Sequence, residues 1–234
     1  MRSALYAGDL DTRSTNILMR SVYEWMTIGL LVSGLSAFMV THSPMLMHLI
    51  FGNPYMIWVL LLIELGLVVA ISAGMNKMQV STARVLFILF SVVDGMTLAA
   101  ILLVFTEASI VTAFFVAAAT FGVMSLYGYF TDKDLSSWGH LLFAALIGII
   151  IAIVVNFFLG SPMLEWWISV IGVIVFVGLT VYDTQKIKEM GEALAGDDPQ
   201  ALNRVAIVGA LALYLDLINL FLMFLEFFGQ SRNR

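Results

Sequence analysis

The chain has no cysteine, which excludes disulfides, thiol nucleophiles and thiolate metal sites. Charged residues are also scarce, at 12% of the 234 residues, whereas 61% are hydrophobic. The mean hydropathy of +1.00 lies far above that of a soluble domain. These values predict a protein embedded in the lipid bilayer, and nothing in the composition supports nucleic-acid binding.

Proline is rare too, with four residues in the whole chain. Each one follows a Ser, Asn or Asp and falls between apolar runs or at the start of one. In this position the preceding side chain can cap a helix and proline can take its first position. We therefore expect no proline kink inside a membrane span. The four dipeptides are Ser43-Pro44, Asn53-Pro54, Ser161-Pro162 and Asp198-Pro199.

Long apolar runs, in contrast, fill most of the chain. A bilayer core of about 30 Å requires roughly 20 apolar residues per helix, and seven runs approach this length. They predict an all-α polytopic membrane protein, with a seven-helix membrane domain at 21–229 between a cytoplasmic tail at 1–20 and a short tail at 230–234. No cleavage pattern follows the first run, so we expect it to be retained. The spans are Val22–Val40, Tyr55–Met75, Val85–Phe105, Ser109–Tyr129, Trp138–Leu159, Trp166–Asp183 and Leu202–Phe228.

Basic residues predict the orientation in the membrane. Nine of the eleven Lys and Arg residues lie before the first span or after the second, fourth and sixth, and the positive-inside rule assigns such segments to the cytoplasm. The N-terminus is therefore expected in the cytoplasm and the C-terminus outside, where Arg232 and Arg234 are the exceptions. The nine are Arg2, Arg13, Arg20, Lys77, Arg84, Lys133, Lys186, Lys188 and Arg204.

The seventh span carries one stripe of small or polar side chains, at steps of three and four residues, between apolar faces. Such a helix suits a central position in the bundle, where it would line a cavity while the other helices pack around it. The alternative is a close-packing stripe, in which small residues only let helices approach. The stripe consists of Gly209, Ala212, Asp216, Asn219, Met223 and Glu226.

Four carboxylates, Glu64, Asp94, Asp183 and Asp216, lie in apolar stretches without Lys or Arg. An ionised carboxylate in hydrocarbon is costly, so each one needs a shared proton, a hydrogen bond or a cation. Protons and cations are therefore the expected cargo or signal. Glu64, Asp94 and Asn219 are candidates for an ion pathway. For the first two, the alternative is a protonated carboxyl bonded to a Ser or a backbone carbonyl.

Asp183 is the last residue of the sixth span, and Asp216 lies inside the seventh. Two carboxyls within hydrogen-bonding distance cannot both ionise easily, so they would share one proton and titrate as a pair. The protonated pair would tie the two spans together, and the deprotonated pair would repel and leave a negative site for a cation. Opening is then expected on alkalinisation. Helix tilt must bring the two residues to one depth, because Asp216 lies farther from the cytoplasmic end.

Three segments carry a family pattern, and the one in the seventh span is the most specific. On these segments the chain resembles the Bax inhibitor-1 family, also called the transmembrane Bax inhibitor motif family, and within it the bacterial branch. The resemblance extends over nearly the whole chain, from Val22 to Gly229. The segments are Thr131–Ser136, Ile171–Asp183 and Leu213–Phe221.

The resemblance implies a fold in which six helices surround the C-terminal one, in the bacterial inner membrane. It also implies a pH-sensitive calcium leak, with calcium as the transported ion, no cofactor, and Asp183 and Asp216 as the proton-sharing gate and a transient calcium site. Glu64 matches a glutamate of bacterial relatives. Some of them place an Arg near the cytoplasmic end of the second helix, to pair with the first aspartate. Met75 stands there in this chain, which makes Lys77 the candidate latch cation.

Two other functions remain open. A proton-coupled cation exchanger would often show an inverted repeat with broken helices, which the prolines do not suggest. A non-transporting regulator, bound to a membrane protease or another membrane complex, would need an exposed surface, for which residues 1–20 and 184–203 are the candidates. Enzymatic activity is not expected, because the Gly-x-Gly-Asp, HExxH and GxSxG motifs are missing.

Overall fold

The computed structural model describes residues 2–75, 77–194 and 199–232, and side chains from residue 13 onward except that of Pro54. These residues form eight α-helices and no β-strand, so the all-α prediction is confirmed. Seven of the helices are long and apolar enough to cross a membrane, as predicted. The helices are α1 (Arg2–His42), α2 (Pro44–Phe51), α3 (Pro54–Gly74), α4 (Val80–Val104), α5 (Glu107–Phe130), α6 (Ser136–Leu159), α7 (Pro162–Ala193) and α8 (Pro199–Phe228).

Two of the membrane helices are longer than the apolar runs that predicted them. Helix α1 is continuous from Arg2, and its apolar part runs from Arg13 to His42, so the helix includes most of the expected cytoplasmic tail. Helix α7 continues past Asp183 to Ala193. Once a helix has formed, each further residue gains one backbone hydrogen bond without a new nucleation step. The helix can therefore continue past the end of the apolar run.

Side-chain caps mark where several helices begin. Ser43, Asn53 and Ser161 accept hydrogen bonds from backbone N–H groups in the first turns of α2, α3 and α7. The prolines after them therefore start helices, as predicted. Asp198, the fourth expected cap, lies outside the described residues. At the far end of α6, Gly160 adopts the left-handed conformation (φ 58°) that commonly ends a helix.

One compact unit comprises residues 1–104 and 187–214. Within this unit, α4 packs against α1 and α3. Helices α1 and α4 approach closely at Gly95, where a Cβ would lie 2.3 Å from the carbonyl oxygen of Ser33. Ser36 of α1 also donates a hydrogen bond to the carbonyl of Val92, at 2.8 Å. Small residues and serine hydrogen bonds are a common basis for packing membrane helices.

The other compact unit comprises residues 105–186 and 215–234. Three helices approach α7 there through positions without a side chain. Helix α5 does so at Gly128, α6 does so at Gly139, and Gly172 of α7 itself faces Met223 of α8. These contacts fix the position of the α7 segment around Asp183 within this unit.

Burial differs greatly between the helices. In the most apolar window of α6 only 6% of the residues are buried, and large apolar side chains are exposed along it, as contact with lipid requires. In the corresponding window of α8, 72% are buried. Such burial is what an innermost helix needs, and the central position of α8 stays a prediction.

Candidate functional site

Asp216 is a buried carboxyl that lacks part of its hydrogen bonding. It lies inside α8, its residue is 4% exposed, and its Oδ2 atom is buried without a hydrogen-bond partner. The charge of Asp183, on α7 in the same unit, acts on Asp216. The two predicted gate residues thus lie in the same unit, whereas the sharing of one proton between them stays a prediction. A buried carboxyl in this setting requires a proton or a cation.

The residues just after Asp183 hold α7 to its neighbours. Thr184 is buried, and its hydroxyl is hydrogen-bonded to that of Ser125 on α5, at 3.0 Å. Gln185 binds the loop before α6, because its side-chain amide donates to the carbonyl of Lys133 at 2.7 Å and accepts from the N–H of Leu135 at 3.1 Å. Because these bonds come directly after Asp183, they hold this part of α7 against α5 and against the loop before α6.

Two glycines bring neighbouring helices against the same part of α7. A Cβ on Gly128 of α5 would lie 2.5 Å from the carbonyl oxygen of Val181. A Cβ on Gly139 of α6 would lie 2.4 Å from the ring of Tyr182. Asp183 therefore follows directly after two residues that are in tight contact with other helices.

The Thr131–Ser136 segment of the family pattern forms the loop that Gln185 binds. Within it, Asp134 accepts a hydrogen bond from the N–H of Ser136 at 2.8 Å. The Ser136 side chain, followed by this N–H group, holds the pKa of Asp134 below its usual range, because both donate to the ionised carboxylate. The loop is thus ordered by its own polar groups as well as by α7.

Lys186 is a cation whose charge acts on Asp183. It lies almost one turn further along α7, and its ammonium group is 5.6 Å from the centre of the Tyr182 ring. Lys77, the predicted latch cation, is exposed in the turn after α3 and belongs to the other unit. Its role stays a prediction. Lys186 gives Asp183 a positively charged neighbour on its own helix.

Glu64 and Asp94 occupy a second polar cluster, in the unit of residues 1–104 and 187–214. Asp94 of α4 is 7% exposed, and its Oδ2 is hydrogen-bonded to the hydroxyl of Tyr214 on α8. Glu64 of α3 accepts a hydrogen bond from Thr97 of α4. The charge of Glu64 also acts on Asp94. The two predicted pathway carboxyls are therefore neighbours, and each has a hydroxyl partner.

Asn219 has a local partner. Its side-chain amide donates to the carbonyl of Leu215, one turn earlier on α8, at 2.7 Å. The ion-pathway role of Asn219 therefore stays a prediction. Tyr214, Ser33 and Gln185 were not predicted as functional residues, although all three are buried polar side chains. Their signal was a polar residue in or next to an apolar run.

The predicted transient calcium site would consist of Asp183 and Asp216. Among the described residues, no group of three or more His, Asp or Glu side chains could hold a metal ion. Calcium usually takes six to eight oxygen ligands, so two carboxylates could bind it only with help from water or backbone oxygens. The transient calcium site therefore stays a prediction.

Replacing Gln185 by Ala should lower the free energy of unfolding by about 1–3 kcal/mol, because two partly buried hydrogen bonds, to the Lys133 carbonyl and from the Leu135 N–H, are lost. Gln185→Glu should have an intermediate effect, since it keeps the acceptor and loses the donor. Thermal or denaturant unfolding in detergent measures the change. Gln79→Ala, at an exposed position, is the control. Equal stability of the Gln185→Ala and Gln79→Ala proteins would show that the bridge contributes nothing.

Comparison with known proteins agrees with the membrane helices. The family model described as Inhibitor of apoptosis-promoting Bax1 matches residues 15–233. Inner membrane protein YbhL of Escherichia coli (strain K12) is 49% identical over 214 residues, which are 92% of each chain. An uncharacterized protein of Borreliella burgdorferi is 44% identical over 230 residues, 96% of this chain and 99% of that one.

A more distant relative points the same way. An uncharacterized membrane protein of Streptococcus pyogenes serotype M6 is 32% identical over 218 residues, 92% of this chain and 93% of its own. The relatives thus align with nearly the full chain, and two of them are described as membrane proteins. The resemblance seen in the three sequence segments is confirmed. This chain is a multi-pass membrane protein and belongs to the Bax inhibitor-1 family.

Proposed function

We propose that this protein is a pH-sensitive calcium leak of the inner membrane, closed while Asp183 and Asp216 share one proton and open once the proton is lost. The observation that carries the proposal is the state of Asp216. Its carboxyl is buried, one of its oxygens has no hydrogen-bond partner, and the charge of Asp183 acts on it. Two carboxylates in such a place cannot both remain ionised without a cation.

Loss of the shared proton would place two negative charges near each other in a medium of low dielectric constant. The α7 segment before Asp183 is held by the glycine contacts to α5 and α6. Repulsion would therefore displace chiefly α8, unless a cation entered between the two carboxylates. Protonation would reverse the change. This makes a proton the closing ligand and calcium the ion that passes.

The rest of the proposal concerns the route and the orientation. Glu64, Asp94 and Asn219 are the proposed pathway residues beyond the gate, and α8 is the proposed central helix. The N-terminus is proposed to be cytoplasmic and the C-terminus external. The reason is that most basic residues lie in the segments on the same side of the membrane as the N-terminus.

The test is a calcium flux assay with the purified protein in liposomes. We expect the flux to rise from acid to neutral pH, at most about tenfold per pH unit for a gate controlled by one proton. Protein-free liposomes measure the background at each pH. Equal protein-dependent flux at acid and neutral pH would refute the proposal.

The same liposomes distinguish a leak from an exchanger. In a leak, a calcium gradient moves calcium without a fixed number of protons in the opposite direction. Proton movement in constant ratio to calcium would instead establish a proton-coupled exchanger. Absence of flux at every pH, together with co-purification of a membrane complex that depends on residues 1–20 or 184–203, would establish the regulator.

A further inference from the structure

Four groups form a continuous chain of polar contacts in the unit of residues 1–104 and 187–214. The carbonyl oxygen of Ser91 lies 2.7 Å from Oγ of Ser33, and that Oγ lies 2.6 Å from the hydroxyl oxygen of Tyr214. The Tyr214 hydroxyl in turn contacts Oδ2 of Asp94. Asp94 is 7% exposed, Ser33 is 1% exposed and Tyr214 is 0% exposed, so these polar contacts are shielded from water.

The number of hydrogen atoms available for these contacts shows which group must supply an additional proton. Three contacts require three protons. The Ser91 carbonyl has none to give, and the hydroxyls of Ser33 and Tyr214 have one each. The proton of Ser33 goes to the carbonyl, which can only accept. The proton of Tyr214 can then go to Ser33 or to Asp94, but it cannot serve both.

We infer that Asp94 holds a proton and donates it to Tyr214, which donates to Ser33, which donates to the Ser91 carbonyl. Asp94 is thus a proton-binding site apart from the aspartate pair of the other unit. An ionised Asp94 would take the proton of Tyr214. The oxygens of Ser33 and Tyr214 would then face each other at 2.6 Å with no hydrogen between them.

The surroundings of Asp94 agree with a neutral carboxyl. The titratable groups that face it are Glu64 from α3 and Tyr214 from α8, whereas Ser33 and Ser36 of α1 donate to backbone carbonyls of α4 nearby. Neither titratable group carries a positive charge that could stabilise an ionised Asp94. A second carboxylate beside Glu64 in a low-dielectric setting would instead be repelled.

This proton has a structural consequence, because the three polar contacts join α1, α4 and α8 at one buried point. While the proton is bound, all three contacts are hydrogen bonds. Its loss leaves two hydrogen bonds for three contacts and loosens the tie between α8 and the other helices of this unit. The inference concerns the protonation of Asp94 and does not depend on calcium passing through the protein.

Infrared spectroscopy of the purified protein tests the inference, because a protonated carboxyl and a carboxylate absorb in separate regions. At neutral pH, Asp94→Asn should remove one protonated-carboxyl band and leave the carboxylate absorption unchanged. Tyr214→Phe should shift that band, since the carboxyl loses its acceptor. Loss of carboxylate absorption in Asp94→Asn, with the protonated-carboxyl region unchanged, would overturn the inference.

Two further variants complete the test. Glu107→Gln is the matched control, because the Glu107 side chain is 90% exposed and its replacement should remove only carboxylate absorption. Ser33→Ala covers the case in which Asp94→Asn does not fold. It releases the Tyr214 proton to serve an ionised Asp94, so at the same alkaline pH the band should be weaker than in wild type. A band of unchanged intensity would contradict the proton count.

Discussion

Replacing Asp216 by Asn should keep the calcium leak at its acid-pH level at every pH. The amide is neutral, like a protonated carboxyl, and like it can donate a hydrogen bond. It cannot lose a proton, so neither the repulsion nor the negative site for a cation develops. The difference from wild type should be largest at neutral pH and should reach about tenfold or more one to two pH units above the midpoint of the wild-type response.

The control for this variant is Asp132→Asn, which makes the same chemical change at an exposed loop position. It should keep the full pH response of wild type. Asp183→Asn supplies a second variant of the pair, at a less buried position, in case Asp216→Asn fails to fold. A normal pH response in both Asp183→Asn and Asp216→Asn would show that these residues do not form the gate.

Gly128→Ala should be the most disruptive small substitution near the gate. Its new Cβ would lie 2.5 Å from the carbonyl oxygen of Val181 and 3.1 Å from Cβ of Thr184. A backbone oxygen cannot rotate away as a side chain can, so α5 and α7 must separate. Overpacking of this kind typically costs about 1–3 kcal/mol of unfolding free energy, which denaturant unfolding in detergent would measure.

Gly122→Ala is the matched control on the same helix, because a Cβ there meets nothing within 4 Å. This change should be neutral or should stabilise α5 by up to about 1 kcal/mol, since Ala favours the helix over Gly. The two variants should therefore differ in sign. Equal stability of the two proteins would show that α5 and α7 do not pack as closely as the glycine contact indicates.

The membrane helices could be predicted from the sequence because lipid imposes a simple rule on length and polarity. The runs around Glu64 and Asp94 appear as helices of nearly the expected extent, α3 and α4. Helix starts were equally accessible, since Ser43 and Asn53 before proline form a cap through local bonds alone. The start of the short helix α2 was predicted from Ser43-Pro44, but its end at Phe51 was not, because eight residues between two spans give no clear periodic signal.

The partners of the carboxyls could not be predicted, because they depend on contacts between distant parts of the chain. For Asp94 the alternative to the ion pathway was a bond to a Ser or a backbone carbonyl, yet it contacts Tyr214, which lies 120 positions away. Thr97, three residues after Asp94 and on the same face of α4, bonds Glu64 instead. Helical periodicity shows which residues share a face, and only tertiary packing shows what that face meets.

The measurement that tests the central claim most directly is a double-mutant cycle on the pH response of calcium flux. The ratio of flux at neutral pH to flux at acid pH is measured in wild type, Asp183→Asn, Asp216→Asn and the double variant. If the two carboxyls hold one proton as a pair, either single change abolishes the response and the double variant adds nothing. Two partial losses that sum in the double variant would show that the aspartates act independently and would contradict the account.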